Sequence, residues 1–132
     1  HDSNITLNES PIGTPSFMSP EQCRSEALDE SSDIYSLGAT YFALLAGKPP
    51  FQADSALGVM FAHCSSPPPV LPSDIDAPVD CERIIHRAMQ KDPSKRFDST
   101  SQLANTLGQL LGRPASAARE GRPPRRRFLW AI

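Results

Sequence analysis

Thiols, imidazoles and carboxylates are the side chains of this 132-residue sequence whose types could do chemistry. Cys23, Cys64 and Cys81 are odd in number and have no Cys-x-x-Cys spacing. They argue against a disulfide framework or a zinc site and read as reduced, mostly buried thiols of a cytosolic protein. His1, His63 and His86 are scattered at no metal-ligand spacing, so they read as surface or core residues and the metal set is none. Asp2, Asp29 and Asp33 carry carboxylates that could act as a base, yet nothing in the sequence positions a nucleotide beside any of them. Asp33 stands at the head of an apolar stretch, where a helix dipole favours a carboxylate. The run Lys91–Phe97 is by itself a charged turn, and Gly13–Gln22 is by itself a Pro-rich turn leading into a helix.

Those residues need elements to hold them, and the periodicity supplies helices. Residues 33–46 are the most apolar stretch; Ser31 or Ser32 is expected to cap it and Gly47, with Pro49 and Pro50 beyond, to end it. Apolar residues cover every face, which predicts a central helix buried on all sides. It is too short for a bilayer, which takes about 20 helical residues. Leu57, Met60, Phe61 and Cys64 form one helical face over residues 54–64. Five prolines between Ser65 and Pro78 predict an extended, non-helical segment. Cys81, Ile84, Ile85, Ala88 and Met89 form a stripe over 78–90, with Pro78 suited to a first turn and Asp92–Pro93 a stop. Ser99 with Gln102 reads as a capping box for a helix bearing Leu103, Leu107, Leu110 and Leu111, ended by Gly112. The fold class is therefore all-α.

Charge is uneven. Residues 1–112 carry 7 Lys and Arg against 14 Asp and Glu, whereas residues 113–132 carry 6 Arg against Glu120. An acidic body argues against nucleic-acid binding by the body. The basic tail leaves a membrane surface or RNA open. Residues 1–12 are polar, of loop composition, and no signal peptide opens the chain.

Three separated motifs resemble the protein kinase family, over roughly residues 3–112. Gly13-Thr14-Pro15-Ser16-Phe17-Met18-Ser19-Pro20-Glu21 resembles the end of an activation segment, with Ser19-Pro20-Glu21 in place of Ala-Pro-Glu. Asp33-Ile34-Tyr35-Ser36-Leu37-Gly38 resembles the start of helix F, and Gly47-Lys48-Pro49-Pro50-Phe51 the turn after it. Lys91-Asp92-Pro93-Ser94-Lys95-Arg96-Phe97 resembles the stretch before helix I. The pattern around Thr14 is that of serine/threonine kinases, with Phe17 where Tyr is commoner. The run as a whole is most similar to the bacterial branch of the eukaryotic-type enzymes.

That resemblance implies the helical C-terminal lobe of a kinase, incomplete and starting in the activation segment. It divides the chain into an activation segment and substrate-pocket loop (1–22), a lobe from helix F to helix I (23–112) and a basic Pro/Arg linker (113–132). It implies that Thr14 helps form the substrate pocket, and that Thr6 and Ser10 are candidate phosphorylation sites. It implies that Asp33 accepts hydrogen bonds from a catalytic loop and that Glu21 pairs with Arg96. The parent would transfer the γ-phosphate of Mg·ATP to protein Ser or Thr. Its partners would be a protein substrate and the preceding part of the kinase domain, with no nucleic acid. Catalytic base, phosphate-gripping Lys and metal ligands are not found at recognisable positions, so the chain alone is expected to be inactive and to need no cofactor. The alternatives are a kinase-derived helical binding module and a gene fragment without a role. A cytoplasmic location is expected. Arg125-Arg126-Arg127 followed by Phe128–Ile132 reads either as the start of a membrane span, anchoring the parent in the inner membrane, or as a basic tail.

Overall fold

A computed structural model describes residues 15–112. Among the described residues every regular element is a helix, so the fold class is all-α. A single-turn 3-10 helix, Pro15–Phe17, leads into α1 (Pro20–Cys23), α2 (Glu30–Ala46), α3 (Ala56–Ser65) and α4 (Val79–Ala88). A second 3-10 turn, Pro93–Lys95, precedes α5 (Thr100–Leu111).

α2 is the central beam. Its Ile34 joins Ile84 and Ala88 of α4, Phe97 and Leu103 in one apolar cluster. Its Tyr35, Ala39 and Phe42 join Ile85 and Met89 in a second. Full burial of a side chain such as Ile85 or Phe42 contributes roughly 1.5–3 kcal/mol. α2 and α4 approach closely at Gly38, where an added Cβ would lie 2.6 Å from the Ala88 Cβ. Gly47 ends α2 in the left-handed region at φ 74°, and its N–H donates to the Ala43 carbonyl at 2.8 Å.

Four details differ from the sequence reading. α2 starts earlier, so its cap is Asp29, which accepts from the Ser31 N–H at 2.8 Å, and not Ser31 or Ser32. Both serines lie inside the helix and serve other partners. α2 is also not covered on all sides: Leu37 and Leu44 are 49% and 61% exposed. They share with Asp33 and Thr40 a stripe at helical spacing that no described element covers. On α3 the apolar face is split: Leu57 and Phe61 are 76% and 73% exposed, Met60 and Cys64 are half-buried, and Val59 and His63 face the core. Two hydrogen bonds of His63 fix that rotation; apolarity alone does not. At α5, Ser99 Oγ accepts from the Gln102 N–H, but Gln102 Oε1 accepts from the Asp98 N–H at 2.7 Å, so the second arm of the capping box misses Ser99.

The Pro-rich stretch 66–78 contains no helix. α4 holds it: Glu82 Oε1 accepts from the Leu71 N–H at 3.3 Å, and His86 Nε2 donates to the Pro69 carbonyl at 3.1 Å. Cys81, Ile84, Ile85, Ala88 and Met89 are all buried, as their stripe predicts.

Candidate functional site

The described chain converges on two polar hubs, one at each end of the short segment from Pro15 to Cys23. The first is built on α1. Ser19 caps it with a full capping box: its Oγ accepts from the Gln22 N–H at 3.1 Å, and Gln22 Oε1 accepts from the Ser19 N–H at 2.8 Å. That box fixes Glu21 one residue away, aimed at the interior. Arg96 meets it from the far side, 75 residues along the chain. Nη2 donates to Glu21 Oε1 at 2.7 Å and Nη1 to Oε2 at 2.9 Å, a parallel two-bond fork.

Arg96 spends its other donors as fully. Nε–H goes to the Gln90 carbonyl at 2.7 Å, Nη1 to the Ser31 carbonyl at 3.0 Å and Nη2 to the Lys91 carbonyl at 3.2 Å. The Ser32 hydroxyl donates to Glu21 Oε2 at 2.8 Å. The guanidinium also lies 5.0 Å from the Tyr35 ring centre. Burial alone pushes the Glu21 carboxyl up. The Arg96 and Ser32 hydrogen bonds and the Arg96 charge outweigh it and hold the group below the usual carboxylate range. One arginine thus joins α1, the start of α2, the end of α4 and the turn before α5.

The second hub is His63. The carbonyl of Ser16 lies 3.0 Å from its Nε2, so Nε2 carries the proton, and Nδ1 accepts from the Tyr35 hydroxyl at 2.8 Å. Burial lowers the imidazole pKa to about 4, against the opposing effect of the Ser16 bond, so the ring is neutral. The Ser36 hydroxyl donates to the Phe17 carbonyl at 2.7 Å. The turn Pro15–Phe17 is therefore stapled to α2 and α3 through its own backbone. Sequence reasoning left His63, Tyr35 and Ser36 without these roles. The available signal was a lone His four residues after Val59, opposite the apolar stripe of its helix.

Between the hubs lies Lys91. Its Nζ is enclosed without a hydrogen-bond partner, 5.0 Å from the Phe51 ring centre and 5.7 Å from that of Tyr35. Burial lowers its pKa to about 8. Asp33 lies apart from both hubs, exposed in the first turn of α2. Thr14, Thr6 and Ser10 lie outside the described residues. Neither hub pairs a nucleophile with a base: both are saturated clamps on the segment that follows Thr14.

Residues 2–107 match the protein kinase domain family. The chain belongs to the protein kinase family. It is 37% identical over 114 residues to a protein named as serine/threonine-protein kinases drp72 from Corynebacterium efficiens, covering 86% of this chain and 20% of that one. It is 37% identical over 117 residues to the serine/threonine-protein kinase PknA of Corynebacterium glutamicum, covering 88% and 23%. Against PknB of Mycobacterium leprae the identity is 32% over 116 residues, covering 86% and 19%. The chain thus spans about a fifth of the length of the kinases it matches.

Kinases work with Mg·ATP, and the described residues do not fit that group. Among them no three His, Cys, Asp or Glu side chains come together as a metal site. A cleft of about 260 Å³ between α4 and α5 is lined by Ile84, Phe97 and Leu110 with Arg83 and Arg87, and Arg87 lies 4.4 Å over the Phe97 ring instead of being free to grip phosphate.

Proposed function

We propose that this chain is the peptide-platform part of a bacterial serine/threonine kinase domain. In the intact kinase, Mg·ATP and the catalytic groups are held by the preceding part of the domain, and the γ-phosphate passes to a Ser or Thr of a protein substrate. The observation that carries this reading is the saturated Glu21–Arg96 fork, which ties the segment after Thr14 to the far end of the lobe. Thr14 contributes to the substrate pocket, and the clamped segment that follows it supports that reading. Asp33, exposed at the head of α2, is the anchor for a catalytic loop supplied by that preceding part. Thr6 and Ser10 are the phosphoacceptors of the activation loop, which a phosphate orders through pairing with arginines. The Arg-rich tail draws the parent to the cytoplasmic face of an anionic membrane; each Lys or Arg near such a surface contributes about 1 kcal/mol.

The test is a chimaera. The nucleotide-binding and catalytic part of the M. leprae PknB kinase domain, up to its activation segment, is joined to this chain. Transfer of labelled phosphate to Ser or Thr of myelin basic protein is expected, with Thr14→Ala lowering it. A chimaera that binds ATP but transfers nothing would overturn the reading. The exposed Leu57 and Phe61 of α3 favour, as a second reading, a helical module that docks proteins. Under it, Leu57→Ser with Phe61→Ser would abolish partner capture while leaving transfer in the chimaera unchanged.

A further inference from the structure

Cys23 ends α1 and Cys64 lies in the last turn of α3, two helices that pack together. The Cys64 thiol lies 3.9 Å from the carbonyl of Pro20, three residues before Cys23 on α1. That contact sets the Cys64 sulfur against the same single turn of α1 that Cys23 ends. Both residues are half-buried and free, whereas Cys81 is buried in the core. We propose that Cys23 and Cys64 form a reversible disulfide that clips α1 to α3.

The surroundings assign the order of events. Burial first, and then the neighbouring Cys64, push the Cys23 thiol up to about 11, so Cys23 stays protonated at neutral pH. Cys64 is half-buried in the last turn of α3, with its thiol turned to the Pro20 carbonyl. The thiolate is the nucleophile, so a thiol held protonated is not the one that attacks the oxidant first.

The oxidant is a peroxide. The Cys64 thiolate attacks one peroxide oxygen; an S–O bond forms, the O–O bond breaks, and hydroxide leaves as water once protonated. Cys64 is then a sulfenic acid. The Cys23 sulfur attacks the Cys64 sulfur. An S–S bond forms, the S–O bond breaks, and the Cys23 proton leaves with the hydroxide as a second water. Two thiols are oxidised and one peroxide is reduced. A dithiol restores the pair by exchange. The clip would immobilise the helix that directly follows the Pro15–Phe17 turn.

Sequence distance sharpens the test. In an unfolded chain the shorter loop closes more readily, which favours Cys64 with Cys81 over Cys64 with Cys23. The reduced full chain is treated with hydrogen peroxide, natively and in guanidinium chloride, alkylated, digested without reduction and read by mass spectrometry. Natively, the Cys23–Cys64 peptide pair should dominate, lighter by two hydrogens and reversed by dithiothreitol. In denaturant it should give way to Cys64–Cys81. Cys64→Ser should abolish every cross-link at Cys23, and Cys81→Ser should preserve the Cys23–Cys64 link. A native product dominated by Cys64–Cys81, by chain-to-chain links or by sulfinic and sulfonic acids would overturn the proposal. So would the same pairing in both solvents. The readout needs no kinase assay, so its failure stays separate from failure of the phosphotransfer reading.

Discussion

At the scale of single residues, the fold rests on ionisable groups whose charge state burial decides. Removing Glu21 or Arg96 alone strands the partner's charge in the interior, and such a loss costs about 3–5 kcal/mol. Arg96 is fully enclosed and the Glu21 side chain is only 9% exposed, so that range applies. A double-mutant cycle with Glu21→Ala and Arg96→Ala in the chimaeric kinase, read by denaturant unfolding, should show strong coupling; additive effects would mean that the fork contributes nothing. The carboxyl of Glu21 is lowered in the fold. Its contribution is complete above the unfolded carboxylate pKa and disappears as acid protonates the folded group. His63 acts in the same direction for a different reason. Folded, it titrates near 4; unfolded, near the ordinary 6.5. Between those values the unfolded chain binds the extra proton, so stability should fall as pH drops from about 6.5 to 4. His63→Gln should flatten that limb of the stability–pH curve, and an unchanged limb would place its origin elsewhere. Lys91, lowered to about 8 from 10.5, acts with the same sign at higher pH: stability should rise from pH 8 to 10.5 as its burial penalty is relieved. Lys91→Met should remove that rise at little cost near neutrality.

At the scale of elements, α2 is the piece on which everything else is hung. Its two vulnerable points are its N-cap and its contact with α4. Asp29→Ala removes the acceptor of the Ser31 N–H and should cost about 0.5–2 kcal/mol. Gly38→Ala places a methyl 2.6 Å from the Ala88 Cβ and 3.1 Å from the Met89 Cγ. Neither the buried alanine nor the helix backbone can retreat without opening both apolar clusters. Overpacking of this kind costs roughly 1–3 kcal/mol. Thermal melting of the two variants should rank both below the parent, and a Gly38→Ala variant at least as stable as the parent would show that α4 shifts freely.

At the scale of the whole molecule, the described residues leave large apolar side chains in water. Leu28, Leu37, Leu44, Leu57 and Phe61 are each about half exposed or more. Among the described residues nothing covers the stripe on α2. Left bare, such patches drive association. The 132-residue chain alone should therefore self-associate with rising concentration in sedimentation and melt broadly in calorimetry; a monomer with a sharp transition would contradict this. Incubated with Mg·ATP and myelin basic protein, it should transfer no phosphate above a no-enzyme control, because both hubs are clamps and neither holds a nucleotide.

By itself the sequence determined what local chemistry and pattern determine. The α4 stripe, Gly47 as a helix stop and the prolines of 66–78 are legible because periodicity and backbone restriction act over a few residues. The kinase motifs, at family-like spacing, named the family. What only the tertiary structure decided is how α3 rotates, where the α2 cap falls and which groups meet at long range. Periodicity put Leu57 and Phe61 on one face of α3 but could not say that this edge of it looks outward. The choice was made by His63, whose partners lie 28 and 47 residues away. Ser31 and Ser32 looked like caps until Arg96 and Glu21 claimed them from other parts of the chain. The approach of Cys64 to α1, which Cys23 ends, has no trace in their spacing, because it exists only where α1 packs on α3.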